Sequence, residues 1–469
     1  MIFTSLPFVV FFTLIYGLLA AVRNDVARRW ILLSGSFFFY GYWNAWYLIL
    51  MAAIILWSWG AGLFIASARS IRARQFGVAA GVALSLFALA VFKYAGFAAQ
   101  NVAWITGGQV PAVIRDIVLP VGISFYTFHS ISYYVDVYRG QISVTRSLRD
   151  YALYIAFFPQ LVAGPIVRAS QFLPQLTQPI TLTLENFSFG ARLFLAGAVQ
   201  KLLLADLVSP FVDDVFANST LYSGVTEWLA VFAYALQIFG DFSGYTLMAI
   251  GVARVLGFKL PENFRMPYVS QSITEFWQRW HITLSFFLRD YLYISLGGNR
   301  YGFLRTQRNV MITMLLGGLW HGANWNFVLW GGLHGAAIVV HHAWERIPSG
   351  QNMLSTIWHL IRRPFGWFLT FFFIVMVWIP FRAVHFSDTA EIMYRIWTFE
   401  AGVQWYHTPT LVVMMAAAVW HIAHVVGLRA RLASWMPGYW LYTLEVTVMI
   451  TLLLLFAPTS TSPFIYFQF

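Results

Sequence analysis

Two Trp-His pairs stand 40 residues apart in this chain, Trp280-His281 and Trp320-His321, and these histidines are the residues best suited to chemistry. His321 lies within LLGGLWHGANWNFVLWGGLHG (315–335), with Gly317 and Gly318 before it, Gly322 after it and His334 near the far end. An imidazole costs free energy in hydrocarbon, so a histidine inside such an apolar run marks a candidate site. The glycines let the backbone bend or a second helix approach, and irregular backbone at membrane depth persists only inside protein or beside a cavity. The ordinary alternative is a buried histidine bonded to a neighbouring carbonyl. Histidine also titrates nearest neutrality, which suits it to take a proton from a hydroxyl at physiological pH.

Around His281 the charge density rises. Residues 259–308 hold seven Lys or Arg against Glu262, Glu275 and Asp290. Ser272-Ile-Thr-Glu275 is a capping-box pattern, and the helix expected to follow reads TEFWQRWHITLSFFLRDYLYI (274–294). Glu275 and Arg279 stand four apart and can pair, while Trp277, His281 and Ser285 share another face. This amphipathic stretch is too charged to cross lipid and is expected at or just below the cytoplasmic surface. Its arginines, Arg279 and Arg289 among them, either meet lipid phosphates or form a docking floor for a cytosolic donor with several phosphates. The planar guanidinium fork suits both.

Asp241, in FGDFSGY, is expected to pair with a buried cation such as Lys201 or Arg192, with orientation of a histidine as the lesser role. His421 and His424 have helical spacing and His341-His342 are adjacent, but no third ligand is suitably spaced, so no metal site is expected. The absence of cysteine excludes disulfides, thiolate metal sites and an acyl relay through a cysteine thioester. A serine triad lacks its G-x-S-x-G elbow.

The elements that must position these residues are membrane helices. Of 469 residues, 59% are hydrophobic, 19% aromatic and 10% charged, against about 25% charged in soluble domains. Apolar spans fall at 3–22, 30–66 (a pair broken near 40–44), 75–97, 117–137, 186–207, 228–249, the His321 region, 366–384, 410–426 and 439–456. The expected fold is all-α and polytopic: about ten or eleven transmembrane helices plus re-entrant or interfacial pieces around a central tunnel, in one domain covering 1–469. With no basic region before Arg23, residues 1–22 read as a first membrane helix and not a cleaved signal. The net charge of +11 sits in alternate loops, which puts both termini outside if the His321 region enters and returns on one side. That excess does not imply nucleic acid, for which no motif is present.

Five long stretches carry a family likeness: LPVGISFYTFHSISYYVDVYRG (119–140), FFPQLVAGPIVRASQFLPQL (157–176), FGDFSGYTLMAIGVARVLGFKLPENF (239–264), TEFWQRWHITLSFFLRDYLYISLGG (274–298) and GGLWHGANWNFVLWGGLHG (317–335). With the opening MIFTS and WIPFRA (378–383), they make the chain resemble the membrane-bound O-acyltransferase family over nearly its whole length, and within it the bacterial alginate O-acetyltransferase group. Where related chains read close to WVFFRA, this one has Ile379 and Pro380. The resemblance implies funnels meeting at a catalytic histidine, which maps to His321, and a second histidine in the motif FW-x-x-WH, which maps to His281. It further implies no bound cofactor, an acetyl group taken from acetyl-CoA or an acyl-carrier thioester in the cytosol, and passage across a bacterial inner membrane. An extracytoplasmic acetyltransferase partner then acetylates an exopolysaccharide of alginate or cellulose type. Peptidoglycan acetylation and teichoic-acid D-alanylation use proteins of similar appearance.

On that reading His321 is the general base, or the carrier of a covalent acetyl group, and His281 polarises the carbonyl or assists proton transfer. Trp320, Trp280 and Asn324 would line the pocket, with Asp241 a further lining candidate. The Asn324 amide or an N–H near Gly322 would hold the oxyanion. Two rivals stand beside it: a proton-coupled transporter using the same histidines, and a scaffold that recruits an extracytoplasmic enzyme.

Overall fold

The structure, a computed structural model, describes residues 1–162, 164–346, 353–459 and 462–465, with 353–361 described by backbone alone. The terminal residues 467–469 and the centre of the basic loop before Arg362 lie outside the described residues. Among those described, the regular elements are helices, and an isolated bridge between Tyr222 and Val403 is the one strand-like pairing. Among the described residues, six helices are long and apolar enough to cross a membrane: Tyr47–Ser67, Ile71–Thr106, Leu184–Ala217, Arg362–Arg382, Thr408–Val425 and Gly438–Phe456.

Expected span 30–66 forms two helices, Asp25–Gly41 and Tyr47–Ser67, with its break at the aromatic turn near 40–44. The first span is a shorter apolar helix, Leu6–Ala21. Span 117–137 begins late, as Ile123–Tyr138, because Pro120 cannot donate the backbone bond an earlier start needs. Span 228–249 lies inside the 32-residue helix Gly224–Val255.

The chain divides into two compact units, Met1–Phe194 with Tyr245–Pro261, and Leu195–Gly244 with Glu262–Phe469; two of the three divisions fall within helices Leu184–Val199 and Gly224–Val255. The first unit is a helical stack whose starts are set by side-chain caps. Asn24 Oδ1 accepts the Ala27 N–H at 3.1 Å, and Ser70 Oγ accepts that of Ala73 at 3.1 Å, each satisfying a donor the helix leaves open. Phe11 and Phe39 close its core around Phe158, at centroid distances of 5.2 and 5.5 Å.

The second unit carries both Trp-His pairs. Its centre is a helical hairpin, Phe303–His321 and Trp325–Trp344, whose arms pack antiparallel. The fit depends on Gly318 and Gly331: a Cβ on Gly318 would lie 2.2 Å from the Phe327 carbonyl oxygen, and one on Gly331 would lie 2.3 Å from that of Met314. Only residues without side chains allow this approach.

The continuous helix expected over 274–294 does not form. Ser272 caps it as predicted, accepting the Glu275 N–H at 3.1 Å, and the Glu275 carboxylate accepts the Gln271 N–H at 2.8 Å. The helix then ends at Arg279, restarts as Ile282–Phe287 and passes into a π-helical turn, Leu288–Tyr293. Trp277, His281 and Ser285 therefore do not share one helical face. The cause is the loop segment 263–265, which takes over the backbone bonds at the break. Ile282 N–H donates to the Asn263 carbonyl at 2.9 Å, and Arg265 N–H donates to the Arg279 carbonyl at 2.9 Å.

Candidate active site

His321 is the last residue of its hairpin arm, at the apex, and is 3% exposed. Its ring is enclosed by Trp320, Trp330 and Phe381, at centroid distances of 4.9, 5.0 and 5.3 Å. The apex is fixed by two asparagines. Asn324 caps the second arm by accepting the Asn326 N–H at 2.9 Å and donates Nδ2 to the Val384 carbonyl at 3.0 Å. Asn326 donates Nδ2 to the Ala383 carbonyl at 2.9 Å. Asn324 thus ties the turn to the end of helix Met353–Arg382, with both ends of its amide engaged.

His281 occupies the break itself, fully buried and at φ +42°, a left-handed conformation that costs a non-glycine residue about 1–2 kcal/mol. Asn263 holds it there. Asn263 Oδ1 accepts from Thr283 N–H at 3.2 Å and from Thr283 Oγ1 at 2.8 Å, and His281 Nδ1 lies 3.1 Å away. Because a backbone N–H can only donate, the atom it meets is the amide oxygen, and His281 Nδ1 must carry the proton. Nε2 then presents a lone pair, and this buried atom has no hydrogen-bond partner. Asn263 Nδ2 is likewise buried and unbonded.

The fold brings the two Trp-His pairs together. The Trp320 ring lies 6.2 Å from that of His281 and 4.9 Å from that of His321, so both imidazoles border one indole. Trp280 packs on Phe264 at 5.0 Å and on Trp378 at 5.0 Å. His334, from the second hairpin arm, is fully buried, with Trp330 at 4.5 Å and Trp277 at 5.1 Å and no hydrogen bond at either nitrogen. Asn263, Trp330, Trp378 and Phe381 were not singled out from sequence. His129, in the first unit, is an ordinary buried histidine: its Nε2 accepts the Val167 N–H at 3.3 Å.

Asp241 pairs with Lys201 at 2.5 Å, the first of its two expected cations, and faces Lys201 and the C-terminal segment. Arg192 instead lies over the Phe189 ring at 5.5 Å. Arg279 pairs with Glu275 at 2.8 Å and lines a cavity of about 810 Å³ with Tyr268, Arg363, Trp367 and Phe371. From that cavity a file of rings, Tyr268, Trp280, Trp378, Phe381 and His321, runs at successive distances of 6.2, 5.0, 5.1 and 5.3 Å. Arg289 is outside the cavity lining. It stacks over Phe286 at 4.7 Å, and its hydrogen bonds to Asp290 at 2.6 and 3.1 Å hold its pKa above the ordinary value.

Residues 139–381, which contain both Trp-His pairs, match the membrane-bound O-acyltransferase family model. The chain is 43% identical over 398 residues to a probable alginate O-acetylase of Azotobacter vinelandii, covering 84% of this chain and 77% of that protein. It is 42% identical over 400 residues to the probable alginate O-acetylase of Pseudomonas aeruginosa, covering 85% and 74%. A peptidoglycan O-acetyltransferase of Helicobacter pylori is 34% identical over 418 residues, covering 84% and 77%.

Proposed function

We propose that this chain, which belongs to the membrane-bound O-acyltransferase family, takes an acetyl group from acetyl-CoA in the cytosol and passes it across the inner membrane for O-acetylation of an exopolysaccharide of alginate or cellulose type. An extracytoplasmic acetyltransferase completes the delivery. The observation that carries this reading is the convergence of two buried histidines on Trp320 within the matched region, in a chain 43% identical to a probable alginate O-acetylase. The peptidoglycan O-acetyltransferase among the relatives supports peptidoglycan as the alternative acceptor.

In the reaction the acceptor hydroxyl oxygen attacks the thioester carbonyl, the carbon–sulfur bond breaks, and the hydroxyl proton ends on the thiol. His321 is assigned the role of general base. The tautomer fixed by Asn263 favours proton transfer over carbonyl polarisation for His281, because its Nε2 offers a lone pair and no proton. Asn263 Nδ2 and an N–H near Gly322 are the candidate oxyanion donors; the Asn324 amide is already committed. Trp320 and Trp280 form the walls. Arg279, at the charged end of the cavity, receives donor phosphate, with Arg289 as an outlying second contact.

The membrane arrangement proposed is a single domain over 1–469 with ten or eleven crossings around a tunnel. Leu6–Ala21, Asp25–Gly41, Ile123–Tyr138 and Gly224–Val255 would join the six apolar helices described above, and the 303–344 hairpin would enter and return on one side. With ten crossings both termini face outward. Inverted membrane vesicles supplied with acetyl-labelled acetyl-CoA test the function: free CoA should appear with alkali-labile label on the polysaccharide. Uptake of solute with acetyl-CoA left intact would overturn it in favour of transport.

A further inference from the structure

The second unit contains a buried charge cluster that the proposed chemistry does not use. Lys201, in the π-helical turn Gln200–Asp206, is 1% exposed, and its ammonium has three donors and three partners: Asp206 Oδ1 at 2.8 Å, Asp241 Oδ1 at 2.5 Å and the Ser462 carbonyl at 3.0 Å. Asp241 Oδ2 accepts the Ile465 N–H at 2.6 Å, and the Ser209 and Ser462 hydroxyls meet at 2.8 Å. One ion pair thus grips the C-terminal backbone at two points, the cation through a carbonyl and the anion through an N–H.

What the grip positions is aromatic. Phe464 is 1% exposed, and its ring lies 5.8 Å from that of Phe242; the Phe242 ring stands edge-on to His281 at 4.7 Å. Apolar packing alone would need no ions, since a buried ion pair is seldom more stabilising than well-packed hydrocarbon. An ion pair spent on backbone groups of a terminal segment instead fixes where that segment sits. We propose that Lys201 and Asp241 are positioning residues for His281, clamping residues 462–465 so that Phe464 and Phe242 hold the imidazole against Trp320. This rests on His281 taking part in acetyl transfer.

The test uses the absence of cysteine from the chain. Ile465→Cys adds a single thiol and keeps the N–H that Asp241 accepts. In the full chain in vesicles, that thiol should resist maleimide, and adding Lys201→Met should speed its labelling at least tenfold. In the cysteine-free chain, Lys201→Met and Asp241→Asn should each lower kcat for acetyl transfer at least tenfold while the KM for acetyl-CoA stays within twofold. If the ion-pair variants fail to fold, Ile465→Pro, which deletes one N–H and leaves the pair intact, should give the same kcat loss. A thiol equally protected with and without Lys201, or one that is released while kcat is unchanged, overturns the proposal. Should the unaltered chain transfer no acetyl, the acetyl reading fails by itself, and the labelling contrast still decides the clamp.

Discussion

Asn263→Ala removes the side-chain oxygen that anchors His281 and Thr283 at the 280–282 break, while the backbone bond from Ile282 N–H to the residue 263 carbonyl stays. Three donors lose their acceptor, Thr283 N–H at 3.2 Å, Thr283 Oγ1–H at 2.8 Å and His281 Nδ1–H at 3.1 Å; the hydroxyl can rotate to another acceptor, which leaves the two N–H groups to count. A buried donor left unsatisfied costs about 1–3 kcal/mol, so the pair costs about 2–6 kcal/mol. Relief of the left-handed backbone at His281 offsets about 1–2 kcal/mol of this, leaving a net loss on the order of 0–5 kcal/mol. The catalytic effect is separate. Without Asn263 nothing dictates which imidazole nitrogen carries the proton, and about 1–3 kcal/mol of lost tautomer control corresponds to roughly 5- to 150-fold in rate. The assay is acetyl transfer in vesicles, paired with thermal unfolding of the purified protein. A variant that unfolds at the wild-type temperature and transfers acetyl at the wild-type rate would refute the claim that Asn263 sets both the break and the tautomer.

Other consequences are equally specific. Gly318→Ala and Gly331→Ala should each lower the unfolding temperature, since the new methyl would sit 2.2 or 2.3 Å from a carbonyl oxygen, and overpacking costs about 1–3 kcal/mol or more. Gly332→Ala, whose Cβ would meet Leu315 Cδ2 at an ordinary 3.4 Å, should be tolerated, and equal effects at all three would contradict the packing argument. His281→Gly should be more stable than His281→Ala by about 1–2 kcal/mol, because glycine accepts φ +42° without strain, while neither variant transfers acetyl at the wild-type rate. Arg279→Gln should raise the KM for acetyl-CoA several-fold with little change in kcat, and Arg289→Gln should raise it less, because Arg279 lines the cavity and Arg289 does not; the reverse order would remove Arg279 as the phosphate contact.

The parts legible in sequence were those written in local spacing. The Ser272–Glu275 cap and the Glu275–Arg279 pair each act within a few residues of where they stand. Asp241 was readable because a carboxylate inside an apolar helix requires a cation, and Lys201 was within reach. The break at His281 was not readable. The stretch 274–294 keeps a helical pattern throughout, and what interrupts it is Asn263, 18 residues upstream, through bonds that no local propensity reports. The meeting of the two Trp-His pairs at Trp320 was hidden for the same reason, as was the enclosure of His334 by Trp277 from another element. Asn324 drew attention by its place beside His321, but in the fold it closes the hairpin by capping one arm and binding the Val384 carbonyl.

The most direct measurement is the rate at which vesicles containing His321→Ala move labelled acetyl from acetyl-CoA to the acceptor, with folding checked by the unfolding temperature. A general base contributes about 10²- to 10⁴-fold, so the rate should fall by that factor in a protein that remains folded. Transfer at the wild-type rate would mean that the imidazole enclosed by Trp320, Trp330 and Phe381 does not perform the chemistry.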